Sequence, residues 1–281
     1  MSAEIHSATF ITSDGVRLRV VEARPSDGPD DAVAATRPVV ALVPGWSMPA
    51  DIWQLQLAAL GAIRRVAALD PRGQGESEIP TYGFDIERRA ADVREFVARY
   101  ERVVLVGWSL GALEALQCVH RYGDAPLEAL VLVDSSVGED PPPPPAASLI
   151  EALQQDRRAT IEAFVREMFH TARTAAELGA LVDAALRVPL DASLSLFPRG
   201  IPREHWRDIA RAFSKPLLYV VTEQFAAQAH SLLRNRPGTR VAVFEMAGHA
   251  LFIDEPDRFN RLLVEFTQEI AAPARPLQAR P

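Results

Sequence analysis

Apolar residues fall in short unbroken runs, separated by longer stretches where they recur every third or fourth position. Residues 39–43 read Val-Val-Ala-Leu-Val, and comparable runs occupy 65–70, 103–106, 129–133, 216–221 and 240–244. A run that is apolar at every position suits a strand covered on both faces. Between these runs, Ile86, Ala90, Val93 and Val97 stand at helical spacing with charges opposite, predicting a helix over 85–100. Helices are also predicted over 51–62, 110–122, 225–234 and 256–270. Residues 8–12 and 15–21 predict a hairpin across Ser13-Asp14-Gly15. Strands alternating with helices predict an α/β fold: a mostly parallel eight-stranded sheet flanked by helices.

The alternation stops between 136 and 214. This stretch opens with five consecutive prolines, Pro141 to Pro145, a stiff and extended composition. Helical patterns follow over 147–155, 158–170, 174–187 and 203–213. The chain therefore reads as a discontinuous core, 1–135 and 215–281, with residues 136–214 inserted as a helical cap. Phe164, Met168, Phe169, Leu181, Leu186 and Leu196 face either a site beneath the cap or the packing between cap and core. Residues 271–281 read as a loose tail.

Composition narrows the function. With 48% hydrophobic and 24% charged residues in 281, the chain is that of a globular protein with a large core. It contains no apolar run long enough to span a membrane and no leader-like start, so a cytoplasmic location is expected. Thirty basic against 37 acidic residues give a net charge of −7, which disfavours nucleic acid as a partner. Cys118 is the only cysteine, leaving no intrachain disulfide and no cysteine-based metal site. The glycine-bearing stretch 70–77 lacks the order of a phosphate-binding loop, so no cofactor is implied; Arg72 reads as a residue that pins this loop.

The chemistry concentrates in Gly107-Trp108-Ser109-Leu110-Gly111, directly after the run 103–106 and directly before a helical pattern. A strand-to-helix elbow holds a serine in a strained turn with its hydroxyl projecting. Glycines two residues to either side relieve the collisions that turn creates. A serine needs a base to become a nucleophile. Among six histidines, only His249 lies in a small-residue loop just after a strand, in Ala247-Gly248-His249-Ala250. Met48, Trp53 and Trp108 read equally as lining of an acyl pocket and as core. Asp254 and Asp257 follow the histidine closely and read as caps of the final helix.

Taken in order, Pro44-Gly45-Trp46, Asp70-Pro71-Arg72-Gly73-Gln74-Gly75-Glu76-Ser77, Gly107 to Gly111 and Ala247-Gly248-His249 resemble the α/β-hydrolase fold over about residues 8–271. Gly45-Trp46-Ser47 and the Gly-Trp-Ser-Leu-Gly elbow look most like the pimeloyl-carrier-protein methyl ester esterases. The resemblance implies an oxyanion hole formed by the N–H groups of Leu110 and Trp46. Many relatives carry His-Gly where this chain has Pro44-Gly45. It also implies a carboxylate in a G-x-x-D pattern after the strand at 216–221. Here that stretch reads Thr222-Glu223-Gln224-Phe225, so the usual acid is absent. Asp134, ending the strand 129–133, is the favoured replacement, with Glu223 the alternative. The implied activity is a serine hydrolase cleaving a small carboxylic ester through an acyl-enzyme. A thioesterase, lactonase, perhydrolase or carbon–carbon bond hydrolase would use the same residues. A non-catalytic binding protein on this scaffold is the reading from a different class.

Overall fold

A computed structural model describes residues 2–26, 37–142 and 149–271. Part of the proline run and the expected tail lie outside the described residues. Eight strands form one sheet: β1 (Ala3–Ile11), β2 (Arg17–Pro25), β3 (Val39–Val43), β4 (Val66–Leu69), β5 (Val103–Trp108), β6 (Leu127–Val133), β7 (Leu217–Thr222) and β8 (Arg240–Phe244). Their order is β1-β2-β4-β3-β5-β6-β7-β8. β2 runs antiparallel to both β1 and β4, and the remaining pairs are parallel. The hairpin has longer arms than its sequence suggests. β1 begins at Ala3 and leaves Ile5 and Ile11 exposed, so it carries no buried-strand signature.

The unbroken apolar runs have a simple cause. In β3, Val40 and Leu42 enter the core on one face of the sheet while Val39, Ala41 and Val43 enter the core on the other. β5 divides in the same way, with Val104, Val106 and Trp108 on one face and Val103 and Leu105 on the other. The period-two alternation of a strand therefore needs an apolar residue at each step.

Eleven α-helices follow in chain order among the described residues: α1 (Gln54–Gly61), α2 (Ile86–Val97), α3 (Leu110–Tyr122), α4 (Leu149–Gln155), α5 (Arg157–Glu167), α6 (Ala175–Arg187), α7 (Leu190–Ser195), α8 (Arg203–Ala212), α9 (Ala226–Asn235), α10 (Leu251–Asp254) and α11 (Pro256–Ala271). Asp85 starts α2 by accepting a hydrogen bond from the Arg88 N–H at 3.0 Å, and Thr174 with Glu177 forms a capping box on α6. Helices α4 to α7 bury Leu153, Ile161, Val165, Val182, Ala185 and Ala192 against the face that also holds Trp46 and Trp108. Helix α8 does not join them. It packs against α3, and its Trp206, Ile209 and Ala210 join the core on the opposite face. The described part of the segment 136–214 is thus divided across the sheet, four helices on one side and one on the other. Among the described residues, no helix is long and apolar enough to cross a membrane.

Candidate active site

Ser109 stands between β5 and α3 with φ 55° and ψ −119°, a left-handed backbone that a non-glycine residue rarely adopts. The close approach around it explains the flanking glycines. A Cβ on Gly107 would lie 2.3 Å from the Gly111 carbonyl oxygen, and one on Gly111 would lie 2.6 Å from those of Val43 and Pro44. Leu110 is the first residue of α3, so its N–H belongs to the helix end that has no intrahelical acceptor.

The neighbouring strand ends at Asp134, also in a left-handed conformation with φ 42°. Strands β5 and β6 are locked together at this point, because the Ser109 N–H donates to the Val133 carbonyl at 2.9 Å. Asp134 Oδ2 lies 2.7 Å from His249 Nδ1, and the aspartate side chain is buried. Its Oδ1 accepts from the Thr222 N–H at 2.6 Å and the Thr222 hydroxyl at 2.8 Å. Thr222 ends β7, the strand after which relatives carry the acid. A carboxylate at Nδ1 directs the ring proton to that nitrogen and leaves Nε2 basic. Glu223 is exposed and begins a short 3₁₀ turn, Glu223–Phe225. Phe225, where the family pattern has aspartate, is buried in the core of the other face. The structure therefore brings Asp134, and not Glu223, to His249.

His249 follows β8 and is held by the elbow itself. Trp108 Nε1 donates to the His249 carbonyl at 2.8 Å, with the two ring centroids 5.1 Å apart. Trp108, Trp53 and Met48 are all buried in the core. Trp53 stacks on Phe252 with centroids 3.9 Å apart.

The second expected oxyanion donor, the N–H of Trp46, lies in a tight turn. The Met48 N–H donates to the Gly45 carbonyl at 3.2 Å, and Ser47 has φ 58°. Gln74 clamps this turn, its Nε2 donating to the carbonyls of Gly45 at 3.1 Å and Met48 at 2.7 Å. Gln74 is oriented in turn by Arg89, whose Nη2 donates to its Oε1 at 3.1 Å. The same Arg89 nitrogen lies 2.7 Å from Glu114 Oε1 on α3. Burial pushes the Glu114 carboxyl up to about 7, against the opposing pull of Arg89. The stretch 70–77 thus braces the turn at 45–48. Asp70 accepts from the N–H groups of Ala50 and Glu76, and Arg72 is paired with Asp92 and Asp14. The sequence around Gln74 does not reveal this clamp, because its two acceptors lie more than 25 residues away in the chain.

Residues 40–262 match the alpha/beta hydrolase family model. The chain belongs to that family. It is 28% identical over 259 residues to the pimeloyl-[acyl-carrier protein] methyl ester esterase of Vibrio atlanticus, covering 84% of this chain and 97% of the relative. Among solved structures it resembles an esterase from Exiguobacterium antarcticum, with TM-score 0.78 and 21% identity over 93% of this chain and 99% of the other. It also resembles the bromoperoxidase of Bacillus anthracis, with TM-score 0.77 and 19% identity over 94% of this chain and 100% of the other. At these identities the two structures speak for the fold alone.

In this alpha/beta hydrolase Trp46 joins the loop after β3 to helices α5 and α7. Its indole N–H donates to the Ser193 carbonyl of α7 at 2.8 Å, and its ring meets Phe197 and Phe164 at 5.4 and 5.3 Å between centroids. A concavity of about 520 Å³ lined by His120, Asp124, His205 and Asp208 lies at the far end of α3 and includes neither Ser109 nor His249. Among the described residues, no group of three or more His, Cys, Asp or Glu side chains could hold a metal ion. Asp254 departs from its expected role as a helix cap. It accepts from the Gly248 N–H at 2.8 Å, and from the N–H groups of His170 at 2.8 Å and Thr171 at 3.0 Å.

Proposed function

We propose that this alpha/beta hydrolase is a serine esterase working without a cofactor through Ser109, His249 and Asp134. The observation that carries the reading is the Asp134–His249 contact at 2.7 Å, made at the end of the strand hydrogen-bonded to the serine elbow. Ser109 Oγ attacks the ester carbonyl carbon while His249 Nε2 takes its proton. The developing oxyanion is held by the N–H groups of Leu110 and Trp46. Collapse of the tetrahedral intermediate breaks the carbon–oxygen bond, and the imidazolium returns the proton to the departing alkoxide. Water, deprotonated by His249, then attacks the acyl-enzyme and releases the carboxylic acid and free Ser109.

Helices α4 to α7 serve as the cap in this reading. Its Phe164, with Phe197 just after α7, packs on Trp46, and this aromatic cluster favours an apolar acyl group. The relatives named as pimeloyl methyl ester esterases support an ester of a small alcohol as the substrate class.

Hydrolysis of a p-nitrophenyl ester series by the wild type and Ser109→Ala tests the proposal. Turnover by the wild type, with loss in the variant and fluorophosphonate labelling confined to Ser109, is the expected result. If neither turnover nor labelling occurs in the wild type, the chain is a binding protein on this fold. Product analysis with thioester, lactone and peracid-forming assays separates the other chemistries open to the same triad.

A further inference from the structure

We infer that Asp254 is a positioning residue for His249, acting by fastening the histidine loop to the cap. The inference rests on the proposed role of His249 as the base. The Asp254 carboxylate is fully shielded from solvent, and its acceptor oxygens are shared between two segments far apart in sequence. On one side it takes the N–H of Gly248, the residue before the histidine, at 2.8 Å. On the other it takes the N–H groups of His170 and Thr171 at 2.8 and 3.0 Å, together with the Thr171 hydroxyl. Arg173 Nη2 lies 3.4 Å from the same carboxylate. The residue after the histidine is fixed to the same part of the cap, because the Ala250 N–H donates to the Met168 carbonyl at 2.8 Å. There is no room to loosen this seam: a Cβ on Gly248 would lie 2.6 Å from the Met168 carbonyl oxygen.

His249 is therefore held at three consecutive backbone positions, by Asp254 before it, by Trp108 at its own carbonyl and by Met168 after it. Two of the three supports depend on the turn that ends α5. Burial by itself would raise the Asp254 pKa. The hydrogen bonds from Thr171, His170 and Gly248 reverse that, so the carboxyl stays below its usual value and remains an ionised acceptor. Asparagine has the same shape but only one acceptor oxygen, and its NH₂ would face N–H donors. Displacement of a base by a fraction of an ångström is enough to reduce turnover severely.

The test compares wild type, Asp254→Asn and Thr171→Val. Sites are counted by fluorophosphonate titration so that kcat refers to competent enzyme. The expected result for Asp254→Asn is a per-site kcat lower by about 10- to 100-fold with KM changed by less than about threefold. Thr171→Val, which removes one cap-side donor, is expected to give a smaller loss of the same kind. A purely structural role would instead lower the number of titratable sites at unchanged per-site kcat, and that outcome overturns the inference. A second readout does not depend on ester turnover. The low-field Nδ1–H proton resonance of His249 reports its bond to Asp134, and it is expected to shift or broaden in Asp254→Asn. An unchanged resonance overturns the positioning role, whereas a wild type without esterase activity overturns only the assignment of the reaction.

Discussion

Thr222 donates twice to one oxygen of Asp134, from its N–H at 2.6 Å and its hydroxyl at 2.8 Å, while the other oxygen faces His249 at 2.7 Å. The threonine that stands where the family pattern has glycine thereby holds the Asp134 carboxylate at the end of β6. Neighbouring strands lie under 5 Å apart, so a carboxylate on β6 is within one strand spacing of the end of β7. Thr222→Val keeps the N–H donor and removes the hydroxyl. It is expected to cost about 1–2 kcal/mol in the folded state and to lower kcat by roughly tenfold. Urea unfolding and steady-state kinetics on one preparation check both.

Asp134→Asn is expected to reduce kcat by about 10⁴-fold, because the amide no longer holds the tautomer that leaves Nε2 basic. Glu223→Gln, altering an exposed side chain, is expected to remain within about twofold of wild type. Equal losses in both variants would sink the assignment of the acid.

The elbow leaves no space for a methyl group. Gly107→Ala would set a Cβ 2.3 Å from the Gly111 carbonyl oxygen, and Gly75→Ala would set one 2.0 Å from Asp70 Oδ1 at a residue with φ 52°. Both variants are expected to lose several kcal/mol or fail to accumulate as folded protein. Gly179→Ala, where a Cβ meets nothing within 4 Å on α6, is the control and is expected to be neutral or slightly stabilising.

Glu114 gives the fold a pH dependence of unusual sign for a carboxylate. Its folded pKa, raised by burial to about 7, exceeds the ordinary value of 4.5, so the folded state binds the extra proton. The contribution is complete below about pH 4.5 and is lost as pH rises through 7. Glu114→Gln is expected to flatten stability against pH over that window. Denaturant midpoints measured between pH 4.5 and 8 check this, and an unchanged slope would refute it.

Local pattern made much of this molecule legible. Strands β3 and β8 and helix α3 have the bounds that their apolar runs and the elbow motif predict, and Ser109 and His249 stand at the strand ends where their flanking residues point. What remained hidden depends on distant partners. Helix α7 has six residues and no period to detect. Helix α8 is amphipathic like α5 and α6 before it, and nothing in its own sequence tells which face of the sheet it covers. Asp254 finds two of its donors, His170 and Thr171, more than 80 residues away, and the indole of Trp46 finds Ser193 147 residues away. The choice between Asp134 and Glu223 turned on which strand end lies under the histidine loop, a property of the assembled sheet.

Ser109 and Asp134 each follow a strand of a single β5–α3–β6 unit, whereas His249 arrives from 115 residues beyond Asp134. Local closure is entropically cheap and long-range closure is slower. A nascent chain can thus build its strained serine beside its carboxylate while the base is still missing.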